Sequence, residues 1–237
     1  MEIHGRLPVK RRKVLVPTWV AKALMAASGL MMALFVLVHM AGNLKLLHDP
    51  AAMDAYAAWL RHVGVPLLPD EGLLWAFRAV MGAALGVHLL CAAILWRRGL
   101  RTRTRGAKGM ALRAWGARLM LPTGILLLGF VAVHILDLTV GALVASDTFR
   151  HPDPAHHAAA NVVASLSRPV MAATYALALV ALGVHLAHGL VLAWADLGGS
   201  SVKARRLVRT FAFLLALLVV AGDGAVLVHS HLQGVTP

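Results

Sequence analysis

Five segments, roughly 21–47, 72–96, 112–144, 168–195 and 207–230, are nearly unbroken runs of Leu, Val, Ala, Gly, Met and Ile. Each reaches the ~20 residues that a helix rising ~1.5 Å per residue needs to cross a ~30 Å hydrocarbon layer. Lipid offers no water to the peptide N–H and C=O groups, so segments of this kind cross it as helices. The sequence therefore predicts an all-α fold, a membrane-embedded bundle of five transmembrane helices forming one domain over residues 1–237. Only 14% of the residues are charged and the mean hydropathy is +0.75, whereas a soluble domain carries about a quarter charged residues. Between the first two runs, residues 51–63 have helical spacing and an amphipathic pattern suited to the membrane interface. Residues 145–167 read as a longer polar loop.

The formal net charge is +13. Nucleic acid is not the partner this implies, because the basic residues sit between apolar runs instead of along one polar face. Six lie in the tail up to Lys22, eight between Arg97 and Arg118, and four between Lys203 and Arg209, together 18 of the 23 Lys and Arg. The opposite side holds Lys45, Arg61, Arg150 and Arg168, and Arg78 falls inside a helix. The excess of Lys and Arg marks the cytoplasmic side, which places the N-terminus in the cytoplasm and the C-terminus outside. Residues 1–20 then form a basic cytoplasmic tail, not a signal peptide. Cys91 is the only cysteine, which excludes an intramolecular disulfide and a thiolate-bound iron–sulfur cluster. There is no C-x-x-C-H motif, so any haem would be held without a covalent link.

The hexapeptide Ala84-Leu85-Gly86-Val87-His88-Leu89 returns as Ala181-Leu182-Gly183-Val184-His185-Leu186. Ser28-Gly29 ends ten residues before His39, and Thr123-Gly124 ends ten residues before His134. The first two spans thus look like a copy of the third and fourth, running in the same direction, which makes a parallel repeat with its axis along the membrane normal. The fifth span stands outside it. Four of the five spans carry one deep histidine, and an intramembrane histidine marks a functional site by default. Lys22 precedes His39 by 17 residues and Arg118 precedes His134 by 16, a rise of ~24–26 Å from the cytoplasmic charges. Arg97 follows His88 by 9 residues, or ~14 Å, and His185 matches His88 by the repeat. Two layers result, His39 with His134 toward the outside and His88 with His185 toward the cytoplasm.

Two imidazoles facing each other across a bundle at one depth suit a six-coordinate haem iron. Small residues beside them, including Ala41-Gly42, Ala83-Ala84, Gly86, Ala132, Gly183 and Ala187, would admit a flat macrocycle. The competing reading bonds each histidine to a backbone carbonyl. A bare copper or zinc ion would draw its ligands to one depth, not two. His188, three residues after His185, is a candidate propionate or water partner, or a packing residue. Arg78 is a candidate propionate partner, or an arginine snorkelling to the interface. Asp137, one turn after His134, and Asp223 in the fifth span are either proton-relay or quinone-site acids, or acids neutralised by a neighbouring Arg or hydroxyl. His48, His62, His151, His156 and His157 fall in outer polar loops and read as solvated, and His229 and His231 as structural.

Lys22-Ala23-x-Met25-Ala26-x-Ser28-Gly29, followed by His39-Met40-Ala41-Gly42-Asn43-Leu44, resembles the first helix of the succinate dehydrogenase/fumarate reductase cytochrome b subunit. The closest branch is its single-chain, five-helix, dihaem (cytochrome b558) type. Ala55-Tyr56-Ala57-x-x-Leu60 resembles the short segment that follows there. His185-Leu186-x-His188-Gly189 through Leu197-Gly198 resembles its fourth-helix signature. The resemblance implies a multi-pass anchor in the cytoplasmic (inner) membrane of a bacterial cell, within respiratory complex II of the tricarboxylic acid cycle. It implies two haem b groups, with His39 and His134 ligating the distal one and His88 and His185 the proximal one. It also implies a flavoprotein subunit with FAD and an iron–sulfur subunit docked on the cytoplasmic face, and menaquinone or ubiquinone as the membrane partner. A higher oligomer of the complex is compatible with it. Some relatives carry a glutamate two residues before the fourth-helix ligand, linked to proton movement. Gly183 stands there, so proton coupling does not carry over. The chain itself has no nucleotide-binding Gly-rich loop and no cluster cysteines, so succinate chemistry would belong to its partners. Two alternatives stay open, the cytochrome b subunit of a hydrogenase or formate dehydrogenase, and a non-haem transporter with a histidine relay.

Overall fold

The computed structural model describes residues 16–102, 114–152 and 156–235. Most of the basic tail, residues 1–15, and residues 103–113 of the arginine-rich connection lie outside these, as does Asp153. Among the described residues there are helices and turns and no strand. The helices are α1 (Thr18–Asn43), α2 (Lys45–His48), α3 (Pro50–His62), α4 (Gly72–Thr102), α5 (Ala114–Ile135), α6 (Ala158–Leu166), α7 (Pro169–Asp196) and α8 (Val202–Val235). Helix α5 ends in a π-helical turn, Leu136–Val140. Five helical stretches are long and apolar enough to cross a membrane, Thr18–His48, Gly72–Leu100, Arg118–Val140, Pro169–Asp196 and Val202–Gln233.

The boundaries depart from the hydropathy reading where charge and helix propensity disagree. Helix α4 continues past Trp96 to Thr102, and α8 begins at Val202, ahead of the expected residue 207. Arg and Lys are good helix formers, so the polar ends extend a helix already nucleated in the apolar run. The third span stops short of residue 144, because Gly141 adopts φ +69°, a left-handed conformation that ends helices. A Cβ there would also run into the ring of Phe149. Residues 145–167 are not all loop, because α6 occupies Ala158–Leu166. The backbone N–H of Ala159 at its start donates to Asp54 Oδ1 on α3 at 2.9 Å. That is a capping contact made from another helix, which no local sequence signal announces. The amphipathic segment forms α3, with Asp49 Oδ1 accepting from Ala51 N at 2.9 Å and Pro50 in its first turn.

Lipid provides no hydrophobic drive for helix association, so contacts form where small side chains let backbones approach. Most buried positions on the spans follow that rule, Ala21, Ala26, Ser28, Ala33 and Gly42 on α1, Ala84 on α4, Ala178, Ala181 and Ala193 on α7, and Ala212 and Ala216 on α8, beside larger buried residues such as Met40, Leu186 and Val219. Large apolar side chains such as Leu34, Ile125 and Val180 point outward, more than 60% exposed. Helix α1 packs along α4 and α7, α7 packs along α5 and α8, and α3 and α6 cover the opposite end of the bundle from the basic one. Among the described residues no extended packing joins α1 to α5, α4 to α7 or α4 to α5. At the basic end, Lys22 Nζ pairs with Asp196 Oδ1 at 2.7 Å, tying α1 to α7. Arg98 reaches from α4 to Thr18 Oγ1 and Val16 O at 3.0 and 2.6 Å.

Candidate functional site

The deep histidines meet across helices that do not pack against one another. His39 of α1 and His134 of α5 have ring centroids 5.8 Å apart, with planes at 85°. His88 of α4 and His185 of α7 have centroids 6.4 Å apart, with planes at 60°. Packing along α1–α4, α1–α7 and α5–α7 leaves these two couples on the diagonals of the four-helix group.

Three of the rings are fixed through Nδ1. That of His88 lies 3.4 Å from Ser28 Oγ and 3.2 Å from Met25 O. That of His185 lies 3.1 Å from Thr123 Oγ1. The two hydroxyls are equivalents in the repeat, and each also donates to a carbonyl one turn back, Ser28 to Leu24 O at 2.7 Å and Thr123 to Leu119 O at 2.5 Å. The glycine after each hydroxyl lets the imidazole lie against the helix. A Cβ at Gly29 would sit 3.2 Å from His88 Cε1, and one at Gly124 would sit 3.4 Å from His185 Cε1. Ser28-Gly29 and Thr123-Gly124 mark the repeat in the sequence, but their role as anchors of the next helix's histidine appears only in three dimensions.

His134 is held differently. Its Nδ1 lies 3.2 Å from the Tyr175 hydroxyl, which donates to Asp137 Oδ2 at 3.0 Å. Asp137 is fully buried. It also accepts from Ser165 Oγ and, at 2.9 Å, from Arg168 Nη2, while Arg168 Nη1 donates to Val144 O at 2.8 Å. Of the two roles open to Asp137, the structure shows neutralisation by an arginine and hydroxyls. His39 makes no hydrogen bond among the described residues and stacks on Phe35 at 5.3 Å. Asp223 bears on it electrostatically and accepts from Asn43 Nδ2 at 3.0 Å.

These contacts engage Nδ1 of His88, His134 and His185 and leave Nε2 as the nitrogen each can offer a ligand, while neither ring nitrogen of His39 is hydrogen-bonded among the described residues. A metal–imidazole bond of about 2 Å and a ring radius of about 1 Å put two rings on opposite sides of one metal at a centroid spacing of about 6 Å. Both couples match that spacing. The ring spacing, the unbonded Nε2 atoms and the lack of packing between the helices of each couple fit a bis-histidine haem at each. Among the described residues no three His, Cys, Asp or Glu side chains gather around a common point.

Arg78 lines a cleft of about 170 Å³ at the end opposite the basic one, together with Arg61, Arg150, His156, His157 and Asn161. Its guanidinium lies over Trp75, 4.7 Å from the ring. His188 is half-buried and its Nε2 is a buried nitrogen without a partner in the described residues. Of the histidines read as solvated, His48, His62 and His151 are exposed and His156 and His157 are not. His62 Nδ1 lies 2.7 Å from Asp70 Oδ1 at the exposed end of α3, and His156 and His157 are half-buried in the arginine cleft. His48 and His151 are exposed, and the His151 ring packs edge-on to Phe149. His231 Nδ1 bonds Leu166 O at 3.0 Å, a structural contact between α8 and α6.

No protein-family model, no curated protein and no solved structure matches the chain.

Proposed function

We propose that this chain is the dihaem b membrane anchor of a succinate:quinone oxidoreductase, passing electrons between an iron–sulfur subunit and a membrane quinone. The observation that carries the reading is the double one of His39 with His134 and His88 with His185, two couples at haem-like spacing between unpacked helices. The helix-1 and helix-4 motifs favour the succinate branch over a hydrogenase or formate dehydrogenase cytochrome b. Haem, when bound, supplies reversible one-electron transfer within the membrane.

The chain's own residues do the rest. Ser28 with the Met25 carbonyl holds His88, and Thr123 holds His185, with Nδ1 toward the protein, so that Nε2 would be the nitrogen available to a haem iron. Tyr175 does the same for His134. This placement of the second ring nitrogen fixes the tautomer and the ring orientation. Arg78 and Arg150, in the cleft where Arg61 is already paired with Glu71 at 3.0 Å, would be the arginines available to haem carboxylates at that end. His188 Nε2 is a buried donor or acceptor awaiting a partner near the inner couple.

By the positive-inside rule the basic end faces the cytoplasm. There it offers an acidic partner a surface of Arg97, Arg98, Arg118, Lys203, Arg205, Arg206 and Arg209. In this reading the flavoprotein and iron–sulfur subunits dock on that face, and the protein resides in a bacterial cytoplasmic membrane.

Purified in detergent with its partners, the chain should show a reduced b-type spectrum with two haems per polypeptide. Subunit masses should identify a flavoprotein and an iron–sulfur protein. His88→Ala should leave one haem. A colourless protein, or two haems retained in that variant, contradicts the proposal, and co-purification with a hydrogenase or formate dehydrogenase subunit would reassign the complex.

A further inference from the structure

The two couples are not equivalent, although the repeat makes their helices so. His88 and His185 rest on neutral groups, the Met25 carbonyl and Ser28 hydroxyl for His88 and the Thr123 hydroxyl for His185, and each hydroxyl already donates to a backbone carbonyl. His134 rests on a hydroxyl that donates to a buried carboxylate. The repeat is broken at the two positions that build this difference. Asp137 lies three residues after His134, and its counterpart three residues after His39 is Gly42. Tyr175 lies ten residues before His185, and its counterpart ten residues before His88 is Arg78. The carboxylate is fixed from three directions by Ser165, Arg168 and Tyr175, so the tyrosine proton is committed to it. The Tyr175 oxygen is then the acceptor for His134 Nδ1–H.

We propose that Tyr175 and Asp137 are positioning residues that set the electronic character of His134 alone, lowering the potential of the haem that His134 would ligate. The inference rests on the dihaem reading above. A hydrogen bond from Nδ1–H toward a carboxylate-backed oxygen increases the basicity of the ring's other nitrogen, and a more basic ligand favours the ferric state. The effect is local to one couple, because neither residue hydrogen-bonds the inner histidines. Asp223 also bears on this couple from the His39 side, but it is bonded to Asn43 and not to a ring.

The test is an optical redox titration of the intact complex in detergent, resolving the two haem transitions, with haem counted per chain. Tyr175→Phe keeps the ring and removes the hydroxyl. It should retain two haems, move one transition to higher potential and leave the other in place. Asp137→Asn should move the same transition in the same direction, and it serves as the reading should Tyr175→Phe fail to assemble. Thr123→Val should move the other transition. Two haems with both transitions unmoved in the Tyr175 and Asp137 variants, or with both moved alike, overturn the inference and leave the dihaem reading standing. A wild-type complex without haem overturns both.

Discussion

The two halves of the repeat share a skeleton and differ in what surrounds it. In both, a hydroxyl followed by glycine on the first helix receives a histidine from the second. Ser28-Gly29 receives His88, and Thr123-Gly124 receives His185. The halves part at the outer end. The second half places Asp137 and Tyr175 beside its outer histidine and closes the site with Arg168 and Ser165. The first half places Gly42 against the Tyr56 ring and turns Arg78 toward the cleft. Duplication can thus supply a helix frame and its ligand positions, while a few substitutions make the two sites chemically distinct.

That comparison breaks most sharply at Asp137. Asp137→Ala strands Arg168 and the two hydroxyls without their common acceptor, and losing one partner of a buried pair costs about 3–5 kcal/mol. Thermal unfolding in detergent should show this loss, while Arg78→Ala in the other half should stay close to wild type. Transplanting the carboxylate tests the difference from the opposite side. A Cβ at Gly42 would lie 2.8 Å from Tyr56 Cε1, so Gly42→Asp should destabilise by at least the ~1–3 kcal/mol typical of overpacking. Tyr56→Ala should recover part of the loss. Thr123→Val should cost about 1 kcal/mol, the net worth of one neutral hydrogen bond, with Thr123→Ser near wild type; an equal loss in both variants would assign the effect to packing. The smallest effect is expected at Lys22→Ala, because the lysine side chain of its pair with Asp196 is 46% exposed. The expected loss is below about 1 kcal/mol and shrinks with added salt.

The site was legible in the sequence to different depths. The four histidines stand out because an imidazole amid Leu and Val has no routine place in lipid. Counting to the charged ends grouped them into the same two couples whose rings lie together in the structure. Asp137 was visible as a buried acid, yet its three partners come from α6, the residue before α7, and α7 itself, and no spacing links them. Ser165 lay in a stretch that reads as polar loop, so its helix and its contact were both hidden. Tyr175 carries no signal of its own, since an aromatic residue near the end of a span is ordinarily an interface anchor.

The amino-acid sequence by itself determined the number of spans, their helical state and the duplication, because each follows from the one-dimensional spacing of apolar, charged and histidine residues against a membrane of fixed thickness. Tertiary structure decided which helices pack and which stand apart, and which polar atom each imidazole takes as its partner. Those choices depend on small side chains meeting across helices far apart in the chain. The asymmetry between the outer and inner couples is therefore a property of the packed bundle, set by contacts no single segment contains.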